Sequence, residues 1–139
     1  MREWLTAAPG AALRRIPPGP RTALLVALGG LAGAWLRVAL MEWVRPGWLP
    51  WGTFTVNLIG AALLGWLLPR WRAAARPRHA IPLVAIGGLG SFTTFSALAV
   101  EVVVMADGGR APAGLLYGAG SVAAGVLAAT LATRLGERS

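Results

Sequence analysis

GGLGSFTTFSALAVE, residues 87–101, sits in the middle of an apolar segment, about residues 80–105, that is long enough to cross a bilayer. Its first half carries Gly87, Gly88, Gly90, Ser91, Thr93 and Thr94. Glycine weakens a helix, and small hydroxyl side chains compete for the backbone groups a helix would use. In hydrocarbon, freed backbone groups must find partners inside the protein or line a polar cavity. The stretch therefore predicts a membrane helix that breaks over residues 90–94 and resumes near Phe95. Broken helices at mid-membrane mark ion sites, because exposed carbonyls and helix ends carry partial charge. Small residues of this kind also make packing faces between helices. The TTFS run (residues 93–96) favours a site.

The rest of the chain sets that segment among others like it. Of 139 residues, 56% are hydrophobic and 13% charged, with mean hydropathy +0.63, which points to an all-α membrane protein rather than a soluble domain. Residues 1–21 are rich in Pro, Gly and Arg and read as a basic cytoplasmic arm; no signal peptide is expected, because the first long apolar run begins only at Thr22. One domain, 22–135, holds four expected spans at about 22–44, 51–68, 80–105 and 112–135, followed by a polar tail, 136–139. Trp43, Trp48 and Trp51 mark one membrane boundary, and Trp66 and Trp71 the other.

Composition removes several chemistries. There is no cysteine and only one histidine, so thiolate and histidine-cluster metal sites cannot be built within one chain. His79 reads as an ordinary interfacial residue. The net charge of +8 comes entirely from arginine flanking apolar spans, which fits anionic lipid headgroups and topology control, not nucleic acid. The Gly-rich runs lack the lysine of a phosphate-binding loop, and no Ser/His/Asp set or paired intramembrane carboxylates can be formed, so no enzyme is expected.

What remains within the spans is an inventory of neutral donors: Asn57, Ser91, Thr93, Thr94, Ser96, Tyr117 and Ser121, with the electropositive edges of Phe92 and Phe95. That set suits a small anion shedding its water. By residue type, Asn57 is better suited to an interhelical hydrogen bond than to an anion. Tyr117, Ser121 and Gly125 recur every four residues and share one face. Gly29, Gly30 and Gly33 give the first span a small face, and Arg37 lies inside that span at a cost of roughly 2.5–3.5 kcal/mol, less if it snorkels. For Glu101, a watery vestibule and pairing with an arginine both stand open, with the pairing preferred.

Three pieces, GGLAGAWLR (29–37), GTFTVNLIG (52–60) and GGLGSFTTFS (87–96), make the chain similar to the Fluc/CrcB fluoride channels over nearly all of its length after residue 21. The resemblance implies an antiparallel dimer with two pores, and passive export of fluoride from the cytoplasm across the plasma membrane. It implies a structural sodium ion held by the Gly90 and Thr93 carbonyls at the dimer centre. Asn57, Phe95, Thr94, Ser96, Tyr117 and Ser121 fall on the pore positions; Gly33 and Arg37 take structural roles on the first helix. Two positions depart: Gly125 stands where a hydroxyl is common, and Leu98 replaces the second of two pore phenylalanines.

Two rivals stay open. A small multidrug-type four-helix exporter requires a carboxylate in the first span, whose place here is held by glycines and Arg37. A non-conducting partner subunit would explain Leu98. The arginines bear on assembly. Arg2, Arg14, Arg15, Arg21, Arg134 and Arg138 flank the termini and Arg70, Arg72, Arg76 and Arg78 the second connection, against only Arg45 and Arg110 opposite. Ten against two favours one orientation with both termini cytoplasmic. An antiparallel pair then calls for a second, oppositely biased chain, so a heterodimer is expected over a homodimer.

Overall fold

A computed structural model describes residues 19–44, 47–73 and 79–138. The arm expected over 1–21 falls outside them up to residue 18, as do Arg45, Arg76, Arg78 and the last residue of the tail.

The architecture is all-helical: α1 (Pro20–Trp43), α2 (Trp51–Ala73), a wide π-helical α3 (Ile81–Leu89), a single turn α4 (Gly90–Phe92), α5 (Phe95–Met105), a five-residue wide turn (Ala106–Arg110) and α6 (Ala111–Glu137). Proline opens α1 and lies at the start of α3 and α6, where its missing N–H costs nothing.

The glycines of α1 decide how it packs. Gly29 and Gly33 are buried because α3 lies backbone-to-backbone against them; a Cβ at either would run into the carbonyl of Leu83 or Gly88. The outward face stays apolar, with Leu31 at 71% and Trp35 at 70% exposure, a surface suited to lipid and not to water.

The second helix outruns the 51–68 expected for it, continuing through Pro69 to Ala73. Proline at 69 has no N–H to offer the Gly65 carbonyl four residues back. Thr133 Oγ1 of α6 lies 3.2 Å from that carbonyl and 2.8 Å from Ala129 O, so its single proton is shared between an acceptor on its own helix and the one that Pro69 leaves without a donor. The same contact fixes α6 parallel to α2, with Gly136 seated on the Trp66 backbone.

The third apolar segment is interrupted over two residues. Thr93 (φ −80°, ψ 156°) and Thr94 (φ −149°, ψ 117°) are extended, while Gly90–Phe92 keep helical geometry, so the interruption is narrower than the 90–94 expected. Thr93 Oγ1 donates to Leu89 O at 3.0 Å, and Thr94 Oγ1 accepts from Ala97 N at 3.2 Å, capping α5. Gly109, at φ 74°, takes the left-handed conformation that lets α6 fold back antiparallel on α5, with Val102 against Gly114 and Gly118.

Arg110 Nη1 donates to Trp48 O at 2.9 Å, which puts the 47–50 connection and the 106–110 turn at one end of the molecule. Arg21 at the start of α1, Arg70 near the end of α2 and Arg134 in the last turn of α6 belong to the other end, where Arg70 lies over the Trp66 ring, 4.5 Å from its centroid. Among the described residues, three helical stretches are long and apolar enough to cross a membrane: Pro20–Trp43, Trp51–Trp71 and Ile81–Glu137, the last being the one that doubles back at Gly109.

Candidate functional site

The two extended threonines expose backbone that a helix would have satisfied, and α2 supplies the replacement. Asn57 Nδ2 donates to Thr94 O at 2.8 Å, and Asn57 Oδ1 accepts from Thr94 N at 2.7 Å. The carboxamide thus behaves as a strand neighbour for one residue, engaging both backbone groups of Thr94 and bridging α2 to the interruption. This is the interhelical role that residue type favours for Asn57. Its second N–H has no partner among the described residues.

The consequence falls on the carbonyls leading into the interruption, and for two of them the diverted donor is seen. In a continuous helix, Gly90 O would accept from Thr94 N and Thr93 O from Ala97 N. Those N–H groups are engaged by Asn57 Oδ1 and Thr94 Oγ1. The Gly90 and Thr93 carbonyls are released from helical duty at an exposed (Gly90) and a half-buried (Thr93) position. Hard cations favour such oxygens; among the described residues no cluster of three or more His, Cys, Asp or Glu offers a different kind of metal site. Gly90 itself has ordinary helical angles (φ −64°, ψ −31°), and a Cβ there would meet only Ala85 O, at 3.7 Å. This position therefore does not need glycine for its backbone geometry, and the fold of the chain leaves the space beside it open.

A second polar node lies between α2, α5 and α6. Thr53 Oγ1 donates to Glu101 Oε1 at 2.5 Å, and Tyr117 Oη lies 2.8 Å from Glu101 Oε2 and 3.1 Å from Pro50 O. Thr53 is fully buried, Tyr117 nearly so. Among the described residues Glu101 is held by two hydroxyls, and none of the arginines there makes the pairing preferred for it. The reason is tertiary: Thr53 and Asn57 are one turn apart on α2, so the helix that grips Thr94 also carries Thr53 to Glu101. That spacing was readable, but the partner was not.

Of the remaining candidates, Ser121 Oγ donates to Tyr117 O at 2.7 Å, and Ser96 Oγ lies 3.2 Å from Thr94 Oγ1. Phe95 is 74% exposed, whereas Leu98 is buried with Met105 and Tyr117. Gly33 is in the α1–α3 seam, and Arg37 is half-buried with no hydrogen bond or ion pair among the described residues. The structure thus joins Asn57, Thr94 and Ser96 in one group and Tyr117, Ser121 and Leu98 in a second. The donors mostly have acceptors already, so an anion would be bound by exchange with those acceptors.

The family model described as CrcB-like protein, Camphor Resistance (CrcB), matches residues 24–133. A Thermus thermophilus protein named fluoride-specific ion channel FluC is 42% identical over 116 residues, covering 81% of this chain and 91% of the relative. One of the same name from Oceanobacillus iheyensis is 38% identical over 117 residues, covering 83% and 91%. Fluoride-specific ion channel FluC 2 of Nocardia farcinica is 37% identical over 123 residues, covering 86% and 88%.

Proposed function

This chain belongs to the CrcB-like family, a family of membrane ion channels and not of enzymes, and on that premise we propose that it is a fluoride channel subunit. It lets fluoride leave the cytoplasm down its own gradient. Relatives named for fluoride at about 40% identity support the substrate. The observation that carries the reading is the Asn57–Thr94 pairing, since it opens the backbone of a membrane helix without leaving Thr94 unsatisfied. Fluoride holds water strongly, so a pore must replace that water with many donors at close range. Asn57, Thr94, Ser96, Tyr117, Ser121 and the ring edge of Phe95 are those donors.

The long third stretch supplies two spans, making four, with both termini cytoplasmic. Two chains pair antiparallel and form two pores between them. Gly90, and Phe95 at 74% exposure, face the partner in that arrangement. The released Gly90 and Thr93 carbonyls of both chains would hold one sodium ion, which adds a fixed positive charge near the pores. The arginine bias of ten against two makes the partner a similar chain of opposite bias. Leu98, buried where the family carries an aromatic ring, favours one alternative: this chain is the non-conducting member of such a pair.

The test is fluoride efflux from liposomes, run on the chain alone and on the chain co-expressed with a charge-inverted copy. In that copy the arginines of the termini and of the 69–79 connection are moved to the 45–50 and 106–110 connections. Efflux only from the mixed preparation, with C-terminal reporters of the parent all cytoplasmic, is expected. Efflux from the parent alone with equal populations of both orientations overturns the heterodimer; no fluoride efflux from either preparation overturns the channel.

A further inference from the structure

The chain has three phenylalanines. Phe92 is 8% exposed and lines an apolar cleft of about 720 Å³ between α1, α2 and α3, walled by aliphatic side chains such as Leu36, Ile59 and Leu63. Phe95 is on the outside of the subunit. Phe54, on α2, is half-buried and packs against the cluster of Leu98, Met105 and Tyr117. Its ring meets that of Trp51 edge to face, with centroids 5.8 Å apart and planes at 89°, which restrains its orientation.

Its neighbours along α2 are polar and already committed. Thr53 binds Glu101, and Asn57, one turn on, binds Thr94. Phe54 therefore stands on the stretch of α2 between the two polar nodes and packs against the cluster that holds Tyr117. A phenyl ring carries positive charge on its edge and negative on its face. Leu98 offers neither, yet its side chain fills the space beside Tyr117.

We infer that Phe54 is a further anion-contacting residue, supplying from α2 the electropositive ring edge that Leu98 does not supply from α5. The inference rests on the fluoride-channel reading. It removes the need to treat Leu98 as the mark of a dead pore: the aromatic has a different position in the sequence but the same cluster in space.

The test uses the full chain in whichever preparation, alone or with the charge-inverted copy, moves fluoride. Phe54→Leu preserves an apolar side chain but not the quadrupole, and pentafluorophenylalanine at position 54 keeps the ring while reversing the sign of its edge. Each is expected to lower fluoride efflux by about five- to tenfold at unchanged dimer fraction. Leu98→Phe in the Phe54→Leu background is expected to restore most of the loss. Parent-level efflux from the assembled pentafluorophenylalanine protein overturns the inference while leaving the channel reading intact. If neither parent preparation moves fluoride, the channel reading falls and takes this inference with it.

Discussion

Asn57 and Thr94 exchange two hydrogen bonds, Nδ2 to O at 2.8 Å and N to Oδ1 at 2.7 Å, so one side chain on α2 satisfies both backbone groups of a residue at which the third apolar segment is interrupted. An aspartate at 57 cannot donate to Thr94 O and would set a charged oxygen against it. Asn57→Asp is expected to cost about 1–3 kcal/mol of stability and to abolish fluoride efflux. Thermal unfolding in detergent and efflux on the same sample check both; normal efflux from a folded Asn57→Asp dimer removes Asn57 from the path.

The hydroxyl of Tyr117 and the carboxylate of Glu101 share one bond of 2.8 Å. Tyr117→Phe keeps the ring in its cluster and loses that bond, at an expected cost of about 1–2 kcal/mol. Because the bond is shared, Glu101→Gln in the Tyr117→Phe background should cost less than in the parent. A double-mutant cycle by thermal unfolding measures the coupling, expected to be about 0.5–1.5 kcal/mol.

Gly33 and Gly120 make a matched pair. A Cβ at 33 would collide with the Gly88 carbonyl, whereas one at 120 has nothing within 4 Å. Gly33→Ala is expected to destabilise by about 1–3 kcal/mol through forced separation of α1 from α3. Gly120→Ala should be neutral or stabilising by up to about 1 kcal/mol, since alanine favours a helix. Equal melting temperatures of the two variants would contradict the seam described between α1 and α3.

Gly90 separates folding from assembly. Its helical angles and open surroundings mean that Gly90→Val should leave the fold of one subunit within about 0.5 kcal/mol of the parent, whereas any sodium-bridged pairing at this surface should weaken. Dimer fraction measured against sodium concentration reads this. An unchanged fraction at every concentration takes Gly90 out of the proposed ion site.

Much of this was written in the residues. The apolar lengths set where helices could cross a bilayer, the GG…G spacing of residues 29–33 announced a close helix contact, and the hydroxyl-rich run at 93–96 placed the interruption within a few residues. Those are local properties: hydropathy, helix propensity and side-chain competition for backbone bonds act over one or two turns. The sequence also fixed the arginine bias, which no packing changes.

Tertiary structure decided the pairings. Pro69 ends a helix by any local rule, yet α2 continues through it, with Thr133, 64 positions on, dividing its hydroxyl between Ala129 O and the Gly65 carbonyl that Pro69 leaves empty. Glu101 calls for an arginine by charge alone; among the described residues the register of α2 against α5 brings it Thr53. Phe54 looked like one more apolar residue until α2 packed it beside Leu98 and Tyr117. In each case a polar or aromatic group takes whichever partner the helix packing brings within a few ångströms, and that distance is not a property of either residue alone.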